Sequence, residues 1–207
     1  EAIVIPSLLF LFRPLAISLP MMASGLGFLD ALFESISGVT TTGLTTTATV
    51  ADKPETFLFA RAWMQWVGGL GIVVLSLAVM IQPGLVAKRL GDMEDYEEDM
   101  IGGTRAHARI VFIVYAALTA VGIVLLGLLN IGWFEAILYC FAAVSTGGFS
   151  PHDASIAYYA QTGHPHFKAI EYTVTLLMML GGINFLIHFK IITARFREVL
   201  RDTEFRA

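Results

Sequence analysis

The hydrophobic positions of this chain gather into long stretches separated by polar segments, and the lengths of those stretches divide it. Crossing about 30 Å of hydrocarbon takes about 20 helical residues. Four stretches meet that requirement, at roughly 2–19, 57–81, 106–130 and 167–192. The first is interrupted by Pro6, Arg13 and Pro14, so a kinked or truncated span is expected there. Two further apolar segments, 28–38 and 133–143, are much shorter. At 1.5 Å per residue each reaches about 16 Å, roughly half the hydrocarbon thickness. Each then breaks into hydroxyls and glycine before the next long stretch begins. A helix that enters a bilayer halfway and turns back leaves irregular backbone at membrane depth. Such backbone is tolerated only where protein buries it or where it lines a water-filled cavity. The spacing predicts two re-entrant loops.

The short segments are copies of one another. FLDALFESISGVTTTGLT (28–45) returns without a gap as WFEAILYCFAAVSTGGFS (133–150), 105 residues later. Only Ala31/Ala136, Val39/Val144, Thr41/Thr146 and Gly43/Gly148 are identical, so the shared spacing says more than the identities. Each repeat crosses the membrane twice, which starts both on the same side and makes them parallel, related by an axis along the membrane normal. The predicted fold class is all-α integral membrane, with two parallel channel-like repeats (outer helix, re-entrant pore helix, filter loop, inner helix). The first unit occupies 1–81, with outer helix 2–19, pore helix 28–38, filter 39–43 and inner helix 57–81. The second occupies 106–192, with outer helix 106–130, pore helix 133–143, filter 144–148 and inner helix 167–192. A mixed acidic and basic loop, 82–105, joins them, and a basic tail, 193–207, follows.

Charge orients this arrangement. Lys88, Arg89, Arg105, Arg109, Lys190, Arg195, Arg197, Arg201 and Arg206 fall on or near the side opposite the re-entrant loops, against Lys53, Arg61 and Lys168 on the loop side. The excess of basic residues places 82–105 and the tail in the cytoplasm. The acidic run 91–100 counts for little in that rule. Composition agrees: 56% hydrophobic, 14% charged and a mean hydropathy of +0.72 lie outside the range of ordinary soluble domains. Trp63, Trp66 and Trp133 suit headgroup belts. The single cysteine, Cys140, excludes an intrachain disulfide.

The repeated loops carry the candidate chemistry. A dehydrated cation needs oxygens in place of its hydration shell, and rings of backbone carbonyls supply them without fixed charge. Thr40, Thr41, Thr42 and Gly43, and Ser145, Thr146, Gly147 and Gly148, offer successive carbonyls and hydroxyls. Glycine admits backbone angles that let neighbouring carbonyls converge. A bound potassium ion is expected at Thr41, Thr42, Gly43, Thr146, Gly147 and Gly148. Asp30 and Glu135 lie in the first turns of the short helices, where a carboxylate suits the positive end of the dipole; the opposite, partially negative end favours a cation.

The chain resembles the TrkH/TrkG/KtrB superfamily of potassium-translocating membrane subunits. The resemblance is carried by ALFESISGVTTTGLTT (31–46), ARAWMQWVGGLGIVVL (60–75), STGGFSPHDASI (145–156), GGINFLIHF (181–189) and RDTEFR (201–206). It implies potassium uptake through four such units in one polypeptide, each loop giving one glycine to a shared filter. By position these are Gly43 and Gly148, with Gly147 where the first repeat has Thr42. This chain holds two units, so it is expected to be the N-terminal half of a longer transporter, unless two chains combine. The expected partners are potassium as transported substrate, the remaining units of the polypeptide, a second copy in a homodimer, and the lipid bilayer. The resemblance adds a cytoplasmic nucleotide-binding regulatory ring (TrkA-like). No nucleic acid, cofactor or covalent chemistry is expected, and the expected location is the inner (plasma) membrane.

Several other residues admit two readings. Arg61 and Glu171 near the outer ends of inner helices either snorkel, pair, or serve transport. Gly68, Gly69, Gly71, Gly181 and Gly182 suit close helix packing ahead of a hinge. Asn184 and His188 share a face, and Gln65 is expected to make a helix-to-helix polar contact. His152, Asp153, His164 and His166 are weak metal ligands, and Cys140 is a packing residue. An intramembrane enzyme using Ser35, Ser37 or His188, and a non-conducting assembly subunit, are the rival functional classes.

Overall fold

The computed structural model describes residues 4–80, 94–183 and 185–192. Its elements there are eight helices: α1 Val4–Met22, α2 Phe28–Val39, α3 Glu55–Met80, α4 Glu94–Leu128, α5 Trp133–Val144, α6 Ala157–Gln161, α7 Phe167–Gly182 and α8 Phe185–Ile192. No strand occurs among the described residues. The short helices α2 and α5 have 12 residues each, about 18 Å at the helical rise. Each is held on both sides: α2 between α1 and α3, and α5 among α3, α4 and α7.

Three boundaries differ from the expectation. α1 is helical through Pro14 and Pro20 and continues to Met22 instead of stopping near residue 19. An apolar surrounding leaves the backbone no water to turn to, so a proline-interrupted helix stays helical there. α4 begins at Glu94, so the expected loop 82–105 is helical from that point. Residues 82–93 and the tail 193–207 lie outside the described residues. The inner helix of the second unit is not continuous over 167–192. α7 ends at Gly182, Ile183 is extended (ψ 140°), and α8 resumes at Phe185. Two successive glycines hold a helix weakly.

The surface is as apolar as the pattern requires. Ala108–Leu128 is, among the described residues, the one helical stretch long and apolar enough to cross a bilayer by itself, and only a third of it is buried. Leu9, Leu11, Phe12 and Leu19 on α1 are likewise exposed. The core instead lies around the short helices. Ala31, Val39, Phe57 and Met64 pack between α2 and α3, and Ala136, Cys140, Val144, Tyr115 and Leu177 pack α5 against α4 and α7.

Each inner helix approaches its short helix at a glycine. A Cβ on Gly68 would lie 2.1 Å from the Val39 carbonyl oxygen, and one on Gly181 would lie 2.4 Å from that of Val144. Val39 and Val144 are matched positions, so the same close approach occurs twice. Close packing, as expected, is the role of these glycines. Gly182 differs, with nothing within 4 Å of its would-be Cβ. Gly181→Ala is expected to lower stability by about 1–3 kcal/mol, the usual range for overpacking, whereas Gly182→Ala should be neutral or slightly stabilising. Melting temperatures of the two full-length variants in detergent check this contrast.

Candidate functional site

Both short helices end in the same hydrogen-bonded closure. At α2, Thr41 N–H donates to the Gly38 carbonyl (3.1 Å) and Thr42 N–H to that of Ser37 (2.9 Å). At α5, Thr146 N–H donates to Ala143 (3.0 Å) and Gly147 N–H to Ala142 (2.8 Å). This is the Schellman pattern, which satisfies the last helical carbonyls and needs a left-handed residue just past the cap, usually glycine. Here that residue is threonine in both loops, Thr41 (φ 55°) and Thr146 (φ 53°). A β-branched residue at positive φ is an outlier, costing about 1–2 kcal/mol. Two residues on, Gly43 (φ 76°) and Gly148 (φ 87°) are left-handed again. Glycine at 41 and 146 would end the helix more cheaply. Strain kept at matched positions therefore points to a function for the threonine.

The eight predicted site residues divide by surroundings. Thr40 Oγ1 donates to the Ile36 carbonyl (2.7 Å) and lies 2.8 Å from Thr42 Oγ1. Ser145 Oγ, which is buried, donates to Phe141 (2.7 Å). These two hydroxyls are turned back onto their own helices. Thr42, Thr146 and Gly148 are exposed, Thr41 and Gly43 are half-buried, and Gly147 is buried. The loops meet at their glycines: a Cβ on Gly43 would lie 1.9 Å from the Gly147 carbonyl oxygen. Beside this contact is a cavity of about 100 Å³, lined by Thr41, Ser145 and Thr146 of the loops and by Ile72, Tyr115 and Phe185 of the longer helices. The arrangement joins two strained turns, rich in peptide oxygen, over a small cavity.

The chain beyond each loop is clamped by one residue of the preceding short helix. Glu34, fully buried, accepts bonds through Oε1 from Thr46 N–H (2.8 Å), Thr47 N–H (3.2 Å), the Thr47 hydroxyl (3.1 Å) and the Thr45 hydroxyl. Its other oxygen lies 3.0 Å from Arg61 Nε, close enough to pair but not aligned for a hydrogen bond. At the matched position Tyr139 Oη lies 3.1 Å from Ser150 Oγ and donates to the Ser155 carbonyl (3.2 Å). Thr45 and Ser150 are themselves matched. Glu34 was not among the sequence candidates, although a carboxylate midway along one apolar helix and a lone arginine in another were the available signal.

On the loop side of the fold, Glu135 does more than complement a helix dipole. It accepts the Tyr159 hydroxyl, and His152 Nε2 lies 3.1 Å from the same Oε2. Burial, and then the bond to Glu135, push the Tyr159 phenol well above its ordinary pKa, so it remains a donor at neutral pH. Asp153 accepts the Val50 N–H at 2.5 Å, tying the segments that follow the two loops together.

Comparison with known proteins places this geometry. Residues 10–206 match the TrkH family, cation transport proteins. The chain belongs to the TrkH family. It is 34% identical over 187 residues to the Trk system potassium uptake protein TrkH of Escherichia coli K12, covering 86% of this chain and 36% of that protein. It is 32% identical over 186 residues to Trk system potassium uptake protein TrkG of the same strain, covering 87% and 37%. The crystal structure of the potassium transporter TrkH from Vibrio parahaemolyticus is similar at a TM-score of 0.75 and 30% identity, over 94% of this chain and 38% of that one. The chain thus spans little more than a third of the length of these relatives. The TrkH fold is that of an all-α membrane transporter, and the family is not one of enzymes.

Within this TrkH-family fold the remaining candidates find other work. Ser35 Oγ donates to the Ala31 carbonyl and Ser37 Oγ to that of Leu44, both inside the first loop's support. Cys140 is buried with Sγ 3.1 Å from the Thr119 carbonyl, a packing role as expected. Trp66 is half-buried: its Nε1–H donates to Thr119 and its ring stacks on Trp63 and Phe141, at the joint of the repeats. Gln65 makes its contact to the second loop rather than to a helix, accepting Phe149 N–H at 3.0 Å. Arg61 and Glu171 part ways, since Arg61 is buried and paired while Glu171 is half-buried. His164 Nε2 lies 3.4 Å from the Asn130 carbonyl, and His166 N–H donates to His164 Nδ1. His188 is buried with its ring against Phe185. Asn184 lies outside the described residues.

Proposed function

We propose that this chain forms the first two of four channel-like units of a potassium uptake protein, and that its paired loops supply half of a carbonyl-lined selectivity filter. One observation carries the reading: two loops 105 residues apart share a closure, a strained threonine and a left-handed glycine, and meet at Gly43 and Gly147. A turn that is only a linker has no reason to keep that geometry twice. Thr41, Thr42 and Gly43, with Thr146, Gly147 and Gly148, give their carbonyls to the ion, which moves down its electrochemical gradient without covalent chemistry. The hydroxyls of Thr40 and Ser145 hold the loops instead of binding the ion. The names of the relatives, potassium uptake proteins, agree with this choice of cation.

In this reading α2 and α5 are re-entrant, the remaining units of the same polypeptide complete the ring, and the basic segments face the cytoplasm of an inner (plasma) membrane. The full-length protein works as a homodimer under a cytoplasmic nucleotide-binding ring. The test is growth: the full-length protein should restore proliferation at low potassium to cells that lack their own uptake systems, and Gly148→Ala should remove that rescue. Rescue that survives Gly148→Ala with wild-type potassium-over-sodium discrimination would sink the reading.

A further inference from the structure

We propose that Arg61 and Gln65, one turn apart on α3, are positioning residues that set the second repeat's loop from the first repeat's inner helix, and so determine how well the paired loops discriminate between alkali cations. This rests on the filter reading above and goes beyond it, because neither residue offers an oxygen to the ion. The side chain of Gln65 is fully buried. Its Oε1 accepts the N–H of Phe149, the residue that follows Gly148 (3.0 Å). Its Cδ would lie 2.4 Å from a Cβ on Gly147 and its Nε2 3.7 Å from one on Gly43. The carboxamide thus sits flush behind Gly147, whose carbonyl is directed at Gly43. Gln65 is wedged where the two loops touch.

Arg61 completes the link. Its guanidinium lies 4.0 Å from the centre of the Phe149 ring and 5.6 Å from that of Phe57. Its Nε lies 3.0 Å from Glu34, which holds Thr45, Thr46 and Thr47 beyond the first loop. One turn of α3 therefore holds the outgoing segment of loop one through Glu34 and that of loop two through Phe149. At 2% exposure Arg61 cannot snorkel to an interface. A filter discriminates between ions only as finely as its oxygens are held, and both outgoing segments converge on this turn.

The test uses the full-length protein in liposomes, reading potassium and sodium flux separately, with protein stability measured alongside. Gln65→Met keeps the volume and removes the acceptor. It is expected to leave maximal potassium flux within about twofold while lowering potassium-over-sodium discrimination roughly three- to tenfold, the worth of one hydrogen bond. Gln65→Glu restores the acceptor and is expected to recover most of that discrimination. Should Gln65→Met fail to fold, Arg61→Lys carries the test. It keeps the charge opposite Glu34 but gives up the flat face over Phe149, and the same loss of discrimination is expected. Wild-type discrimination in Gln65→Met, or in Arg61→Lys where that variant is the one tested, overturns the proposal. If Gly148→Ala loses discrimination in the same assay, the filter reading survives that failure; if Gly148→Ala is also unchanged, both fall.

Discussion

Gly43→Ala in the full-length transporter is expected to be the most damaging single-methyl change in the first loop, removing selective potassium uptake and lowering stability. Two separate penalties meet at this residue. Its φ of 76° is left-handed, which costs a residue bearing a Cβ about 1–2 kcal/mol, on its own roughly a tenfold loss in the population of correctly set loops. The added methyl would also lie 1.9 Å from the carbonyl oxygen of Gly147. That neighbour is backbone, not a side chain that can swing away, so the second loop must shift with the first. Gly148→Ala bears only the first penalty, because nothing lies within 4 Å of its Cβ position. The expected order is therefore a larger fall in melting temperature for Gly43→Ala than for Gly148→Ala, with selectivity lost in both. Equal stability of the two variants would argue against contact between the loops.

Breaking the buried pair of Glu34 and Arg61 is the second large effect. Removing one partner leaves a charge buried without its counter-charge, which typically costs about 3–5 kcal/mol. Glu34→Ala and Arg61→Leu should each lower the melting temperature sharply, and the double variant should lose much less than the two losses added together. Stability and transport should then separate. The double variant still lacks the carboxylate that gathers the Thr46 and Thr47 amides and the Thr45 and Thr47 hydroxyls, so uptake is expected to stay impaired as stability recovers. A double-mutant cycle on melting temperature and on rubidium flux measures both. Additive stability losses would mean that the pair does not interact energetically.

The short helices were legible from the sequence nearly to the residue, expected at 28–38 and 133–143 and found at Phe28–Val39 and Trp133–Val144. Their ends are written locally, by the change from apolar residues to hydroxyls and glycine, and a Schellman closure involves only neighbours. The packing glycines were legible for a related reason, since a glycine inside a long apolar helix has few other uses. What lay beyond reach depends on residues distant in the chain. The Glu34–Arg61 pair spans 27 positions, and Gln65 meets Phe149 across 84; no periodicity marks such partners. The break between α7 and α8 was overlooked because an apolar run reads as continuous whether or not its backbone is. Gly181 and Gly182 are the signal, and their spacing favours packing ahead of a hinge without deciding between them. The left-handed threonines carry no sequence mark, because composition favours glycine at such a position.

The central claim is that the peptide oxygens of residues 41–43 and 146–148 hold a dehydrated cation. Determining the structure of the full-length protein with thallium or rubidium in place of potassium, and locating the ion by anomalous scattering, tests it most directly. The account predicts ion density between the carbonyls of these two loops, diminished when sodium is the only cation present. A transport-competent protein whose ions lie elsewhere, with both loops facing lipid or bulk water, would contradict it.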